Sequence, residues 1–336
     1  DRYTADTSEL RGNATVSYDY LFGRPQSLSL QYQWSPQESG EISVWALSYV
    51  KRAVDSPGAW VAYAVDSNSD VAALGTLTVL GKGNIYGLRY IRPSEDAHAW
   101  LRAWSLGVDY KHFTEDVRLT SGDPARTPID YTMWSASASL GRQWPNWSFE
   151  STTTLNLGLR GLGNTASEFA FKRFGGTPNF VYLRGDAALV RRLPANFTAA
   201  LRTHWQYAPV PVIGNEQLGI GGVDSVRGYL EAESLADRGI AGAFELGTPA
   251  WRLGGRGGEG GVALRALAFA DAGLGSIERP LPSQEHSFDL ASYGLGLALE
   301  RAPLIDASLY WARTLAPGDR TPDGDTRIHF DFRMGF

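Results

Sequence analysis

The chain has 336 residues, 43% of them hydrophobic, with 38 glycines, 11 tryptophans, no cysteine and a formal net charge of −5. The acidic balance argues against nucleic-acid binding. The lack of cysteine excludes disulfides and thiolate chemistry, and no apolar run reaches the roughly 18–20 residues of a membrane helix.

Residues 1–11 are polar and acidic, and read as the end of a linker from an upstream region. No signal peptide opens the chain at Asp1, as in a mature or trimmed form. From residue 12 onward a period-2 alternation dominates. Strands are expected near 12–22, 27–35, 41–52, 59–67, 71–79, 84–92, 98–113, 130–143, 147–160, 181–192, 196–208, 240–252, 262–275, 289–301, 303–314 and 326–336. That makes about sixteen, an even number, as closed bacterial barrels require. A length of this size ordinarily suggests about two domains, but the unbroken strand rhythm argues for one, over 12–336. No helical domain and no internal repeat beyond that rhythm is visible.

The alternation has an unusual polarity. In the last strand Ile328, Phe330, Phe332, Met334 and Phe336 point one way, and Arg327, His329, Asp331, Arg333 and Gly335 the other. In the eleventh, Phe197, Leu201, Trp205 and Tyr207 oppose Thr198, Arg202, His204 and Gln206. A soluble sandwich would not collect Arg202, Asp331 and Arg333 on one face while exposing the aromatics on the other. An outer-membrane barrel would, with lipid outside and a watery lumen inside. Arg202, His204, Arg265, His329, Asp331 and Arg333 are therefore expected to line the lumen. Trp34, Trp60, Trp100, Trp144, Trp147, Trp205, Trp251 and Trp311 fall near strand ends, as interfacial girdles do.

Long connections are expected at 114–129, 161–180, 209–239, 276–288 and 315–325, and short turns at Pro145-Asn146, Leu193-Pro194-Ala195 and Ala302. Long outside loops and short periplasmic turns have this asymmetry. The glycine-rich run 254–261 reads as a flexible linker, since no strand-to-helix context makes it a phosphate loop.

One loop stands out. Gly221-Gly222-Val223-Asp224-Ser225-Val226-Arg227-Gly228-Tyr229, followed by Glu231, lies in a connection of about thirty residues, too long to be idle. Its glycines allow sharp turns and a close approach to the barrel wall. An arginine carried inside costs several kcal/mol unless paired. Asp271, in Phe269-Ala270-Asp271-Ala272-Gly273, shares the inward parity of Arg265, Leu267 and Phe269, and an Arg–carboxylate fork would pin the loop inside the lumen. Only five histidines occur, none in a Ser/His motif, and no metal-ligand spacing appears. No enzyme, cofactor or metal site is expected.

Residues 221–231 resemble the sixth extracellular loop signature of outer-membrane polypeptide transporters, and Phe269-Ala270-Asp271-Ala272-Gly273 resembles the companion motif on their thirteenth strand. The superfamily includes the two-partner secretion transporters (TpsB, FhaC/ShlB type) and the BamA/TamA assembly proteins. The resemblance covers about residues 12–336. It implies a single antiparallel outer-membrane β-barrel with its sixth loop folded inward and locked by Arg227 and Asp271. Gly221, Gly222, Ser225, Val226, Gly228, Tyr229 and Glu231 would shape the loop, and Phe269 and Gly273 the strand. The final aromatic, Phe336, would be read by the barrel-assembly machinery. Missing from the sequence are the family's periplasmic POTRA domains and plug helix. The implied partners are a secreted exoprotein of the TpsA type (a haemolysin, an adhesin or a contact-dependent inhibition toxin) and the outer-membrane lipids, including lipopolysaccharide. An assembly factor and a passive porin are the alternatives.

Overall fold

The computed structural model describes every residue except 1–3, 5–6, 39, 55, 70, 75–76, 96–99, 118–124, 164, 254–260, 302–304 and 336. Phe336, the turn at Ala302 and nearly all of the glycine-rich run lie outside the described residues.

The strands are β1 (Gly12–Asp19), β2 (Gln26–Trp34), β3 (Ser43–Arg52), β4 (Ala59–Ser67), β5 (Val71–Leu74), β6 (Leu77–Leu80), β7 (Gly83–Glu95), β8 (Leu101–Val117), β9 (Ala125–Gln143), β10 (Trp147–Gly158), β11 (Phe180–Arg192), β12 (Thr198–Tyr207), β13 (Leu218–Ile220), β14 (Ser234–Ala236), β15 (Arg238–Gly247), β16 (Trp251–Leu253), β17 (Val262–Ser276), β18 (Ser287–Arg301), β19 (Ile305–Thr314) and β20 (Thr326–Met334). One α-helix, α1 (Ala166–Lys172), interrupts them. No helix among the described residues is long and apolar enough to cross a membrane, which leaves crossing by strands untouched.

Sixteen strands form one antiparallel sheet. Its path runs β1-β2-β3-β4-β7-β8-β9-β10-β11-β12-β15-β17-β18-β19-β20, with β16 extending the β15 side against β17. The even count is reached only with this three-residue β16. Among the described residues, β1 and β20 stand at the two ends of the path.

Two expectations change. The strand expected at 71–79 is not part of the wall: β5 and β6 pair with each other, Leu74 opposite Leu77, and β4 pairs directly with β7. The apolar stretch Val71–Leu74 carries no alternation, so periodicity could not separate a hairpin from a wall strand. The loop expected at 114–129 is largely strand, because β8 and β9 pair out to Val117 opposite Ala125. Its polar residues concealed a ladder that continues past the apolar belt.

The belt is as the alternation requires. Tyr293, Leu295 and Leu297 are exposed while Ser292 is buried; Ile328, Phe330, Phe332 and Met334 are exposed while His329 is buried. Aromatics gather at the short-turn end: Trp60 packs on Tyr90, Tyr90 on Trp104, and Trp100 on Trp144, with Arg142 over both indoles of the last pair. Residues 8–11 sit at the opposite end, where Ser8 N donates to Glu41 Oε1 at 2.7 Å.

Inside the curved sheet lies the connection 208–237. Ala208, Val212, Ile213, Ile220, Val226, Tyr229 and Asp237 are all buried. It joins two apolar clusters. One gathers Ile42, Val65, Phe113, Tyr131, Phe169 and Phe180 around Val212 and Ile213; the other gathers Leu218, Ile220, Val226 and Tyr229 with Ala241 and Leu290.

Candidate functional site

The long connection is a folded unit. β13 and β14 pair from Leu218 opposite Ala236 to Ile220 opposite Ser234 and close its base. Gly221 (φ 116°) and Gly222 (φ 100°) turn the chain where a side chain would be strained. Ser225 Oγ accepts from Gly221 N at 2.7 Å, and a Glu231 carboxylate oxygen accepts from Val223 N at 3.0 Å. These bonds satisfy backbone groups that burial would otherwise orphan, and they present Arg227 at the tip.

Arg227 is 3% exposed and faces three wall strands. Its Nη2 donates to Asp271 Oδ1 at 2.7 Å and its Nε to Asp271 Oδ2 at 2.8 Å, a bidentate fork; its backbone N donates to the same Oδ2 at 3.1 Å. Nη1 donates to Glu245 Oε1 on β15 at 2.8 Å. Glu245 also pairs with the exposed Arg202, at 3.1 Å. The flat face of the guanidinium lies on Phe269 of β17 and near Tyr310 of β19. A buried cation thus meets two carboxylates and two rings, the compensation a buried charge demands.

The neighbouring residues seat the tip. Gly228 (φ 95°) passes so close to the wall that a Cβ there would meet Thr314 Cγ2 at 3.3 Å and Ala312 Cβ at 3.4 Å. Its N donates to His329 Nε2 at 3.1 Å. Tyr229 is fully buried, its hydroxyl donating to the carbonyls of Ala316 and Ala291 at 2.6 and 3.0 Å. Val226 packs over Gly273, where a Cβ would approach Val226 Cγ2 to 3.0 Å. Glu233 accepts from the backbone N of Arg320 and Thr321, at 2.6 and 2.7 Å, binding the loop to the β19–β20 connection.

The structure brings Arg227, Asp271, Phe269, Gly273, Val226, Gly228 and Tyr229 together, while Gly221, Gly222, Ser225 and Glu231 act within the loop. His329, expected among the open lumen residues, lies beneath Gly228 instead. Arg202, His204, Asp331 and Arg333 line a cavity of about 410 Å³ beside Arg227. Arg265 is exposed on β17, away from the loop tip.

Sequence reasoning missed Glu245, although its inward parity with Ala241 and Ala243 could have found it. It also missed a second node. Glu216, 1% exposed, accepts from Lys111 Nζ at 2.6 Å, from Tyr182 Oη at 2.6 Å and from the Tyr131 hydroxyl. Its backbone carbonyl accepts from Gln206 Nε2 at 3.0 Å and Arg184 Nη2 at 3.1 Å. Burial pushes the Glu216 carboxyl up, but the Lys111 ammonium and the two phenols outweigh it, and the net shift is downward. No local motif marks this residue.

Also unforeseen is α1, within the expected loop 161–180. Its N-terminus is a capping box: Glu168 N donates to Thr165 Oγ1 at 3.4 Å and Thr165 N to Glu168 Oε2 at 2.9 Å. Arg173, at its C-terminal end, donates from Nη2 to Asp237 Oδ2 at 3.0 Å.

No curated protein matches the sequence. Among solved structures, the fold is similar to CdiB from Escherichia coli, with TM-score 0.74 and 16% identity over 97% of this chain and 59% of that one. CdiB from Acinetobacter baumannii gives 0.69 and 16%, over 99% and 58%. BamA from Haemophilus ducreyi lacking POTRA domains 1–3 gives 0.63 and 13%, over 96% and 67%. The chain therefore spans about three fifths of the CdiB chains it resembles. At such identities the likeness is one of fold. The family model of the haemolysin secretion/activation protein ShlB/FhaC/HecB matches residues 106–299, more than half of the sequence and the stretch that carries Glu216, Arg227, Glu245 and Asp271. With the inward-folded loop on this barrel-type sheet, that match makes the chain a member of the ShlB/FhaC/HecB family.

Proposed function

We propose that this chain is the translocator barrel of a two-partner secretion transporter in the bacterial outer membrane, passing a partner exoprotein of the TpsA type from periplasm to cell surface. The observation that carries this reading is the Arg227–Asp271 fork, which fastens a long connection inside the barrel in a member of a secretion family. A passive pore has no need of such a loop. Membership of the secretion family favours export over assembly of outer-membrane proteins, although BamA shares the fold.

In this reading the polar lumen provides the path, and the inward loop shapes it. The apolar belt meets outer-membrane lipid and lipopolysaccharide. The barrel-assembly machinery would insert the chain by reading an aromatic, Phe336 in this sequence. No nucleotide is available in the periplasm, so folding of the emerging polypeptide outside supplies direction. Upstream POTRA domains would recruit the substrate, whether haemolysin, adhesin or contact-dependent inhibition toxin.

The test is secretion. The transporter, with its natural upstream region, is expressed with its candidate exoprotein, and wild type is compared with Arg227→Ala and Asp271→Ala. Heat-modifiable gel mobility reports barrel folding. Loss of secretion from folded barrels supports the reading. Normal secretion in both variants favours a porin-like or purely structural loop.

A further inference from the structure

The loop is held very differently on its two sides. Its distal part, 221–233, is bound to β15 and to β17–β20 by the Arg227 fork, by His329, by both Tyr229 carbonyl partners and by Glu233. Its near limb, 208–217, meets the opposite wall in two layers. The outer layer is apolar: Val212 and Ile213 pack with Phe113 and Tyr131 of the wall and with Phe169 of α1. The rings of Tyr131 and Phe169 lie 5.8 Å apart, edge to face. The inner layer is the single ionic node of Glu216 with Lys111, Tyr131 and Tyr182.

These layers have a consistent order along the barrel. Phe113, Ile129, Tyr131 and Phe180 lie toward the long-connection ends of β8, β9 and β11. Farther in, against the same wall, is a polar cavity of about 390 Å³. Arg89, Asp109, Asn156, Arg184 and Asp186 line it, and they offer both charges and amide groups at one surface. Arg89 pairs with Asp109 at 3.0 Å, and Tyr63 Oη donates to Asp109 at 2.5 Å. Mixed donors and acceptors of this kind suit the backbone of an extended polypeptide, which needs both along its length. Lys111, Tyr182 and Glu216 line the same cavity, so the ionic node faces it from the side of the apolar layer.

We propose that the exported polypeptide leaves the lumen along the β7–β11 wall, through an outer gate formed by α1 and the 208–217 limb and latched by Glu216 to Lys111, Tyr131 and Tyr182. This rests on the transporter reading above. The Arg227 fork is the fixed post of this gate and not its moving part. The charged node sits beneath the apolar layer, where water entering from the cavity can solvate Glu216 and Lys111 once the layer parts. Separation of a buried pair into an already polar cavity avoids the penalty of leaving either charge dry. The apolar layer hides the node in the closed state and keeps the barrel sealed.

The test has two arms. In planar bilayers, the full-length protein is compared with Glu216→Gln and with Phe169→Ser. Glu216→Gln keeps shape and most hydrogen bonds, and Phe169 lies on a connection outside the wall strands, so both barrels should show wild-type heat-modifiability. We expect the frequency of open-channel events to rise about tenfold or more in each. Folded variants with wild-type conductance overturn the gate. In the second arm, the lack of cysteine in residues 1–336 permits a Phe169→Cys/Val212→Cys pair joined by a short thiol crosslinker, any upstream cysteine being replaced by serine. Crosslinking should cut secretion about tenfold, and a cleavable linker should restore it. Undiminished secretion through crosslinked barrels overturns the path. Absence of secretion by the wild type with every candidate exoprotein sinks the transporter reading instead, while the conductance arm still decides the gate.

Discussion

The guanidinium carbon of Arg227 stands 3.5 Å from the centroid of the Phe269 ring, while the edge of the same guanidinium is forked by Asp271 two residues along the strand. Residues i and i+2 of a strand share one face, so β17 presents a ring and a carboxylate to the cation from a single direction. A cation over an aromatic face gains about 0.5–1 kcal/mol at exposed sites and about 2 when desolvated. Phe269→Leu keeps the apolar volume and removes the π face. It should lower stability by about 1–2 kcal/mol, seen as a lower temperature for conversion of the folded gel band to the unfolded one. An unchanged transition would mean that the ring is only filler.

Asp271→Ala leaves Arg227 in place with half of its compensation gone. Breaking a buried pair by removing one partner costs about 3–5 kcal/mol. The loop tip is expected to leave its seat, exposing the peptide bond after Arg227. Limited trypsin digestion of the folded barrel should cut there in the variant and not in wild type. Glu245→Gln should have a smaller effect, because Glu245 also serves Arg202, whose side chain is 59% exposed. Equal protection in all three proteins would contradict this ranking.

The lock can be disturbed without touching a charge. Gly294 on β18 lies directly under the Phe269 ring, and a Cβ at that position would collide with the ring and with a strand carbonyl. Gly294→Ala should displace Phe269 and destabilise by about 1–3 kcal/mol, the usual range for overpacking. If the displaced ring is the cause, adding Gly294→Ala to Phe269→Leu should cost less than adding it to wild type. A double-mutant cycle on the folded-to-unfolded transition measures this; strict additivity would place the clash in the backbone instead.

Leu295 is 60% exposed at the middle of β18 and faces outward with Tyr293 and Leu297. In a lipid-facing belt, an arginine at the midplane costs about 2–4 kcal/mol. Leu295→Arg is therefore expected to reduce folding yield into lipid vesicles sharply, whereas Arg333→Gln on the luminal parity should leave it near wild type. Comparable yields for the two variants would argue against a membrane-facing belt on this strand.

Strand rhythm and the inside-out polarity of the wall were legible in the sequence because both depend on parity: a period of two fixes which side chains share a face. Parity also made Asp271 an inward carboxylate, but it was the resemblance of residues 221–231 and 269–273 to the transporter motifs that matched it with Arg227. Parity is silent where alternation is absent. It missed the β5–β6 hairpin, which opens on the apolar stretch 71–74, and the extension of β8 and β9 past the apolar belt, hidden among polar residues. Tertiary structure alone decided what meets across the lumen. Glu216 is far in sequence from Lys111 and Tyr131, and its loop carries no periodic signal, so only the curvature of the wall around the folded connection brings those groups together. The same holds for α1, whose Thr165/Glu168 capping box is written in the sequence but whose Phe169 finds Tyr131 and Phe180 only in the folded molecule. A strand's neighbours are set by local period and register; a strap across a lumen is set by the shape of the space it must fill.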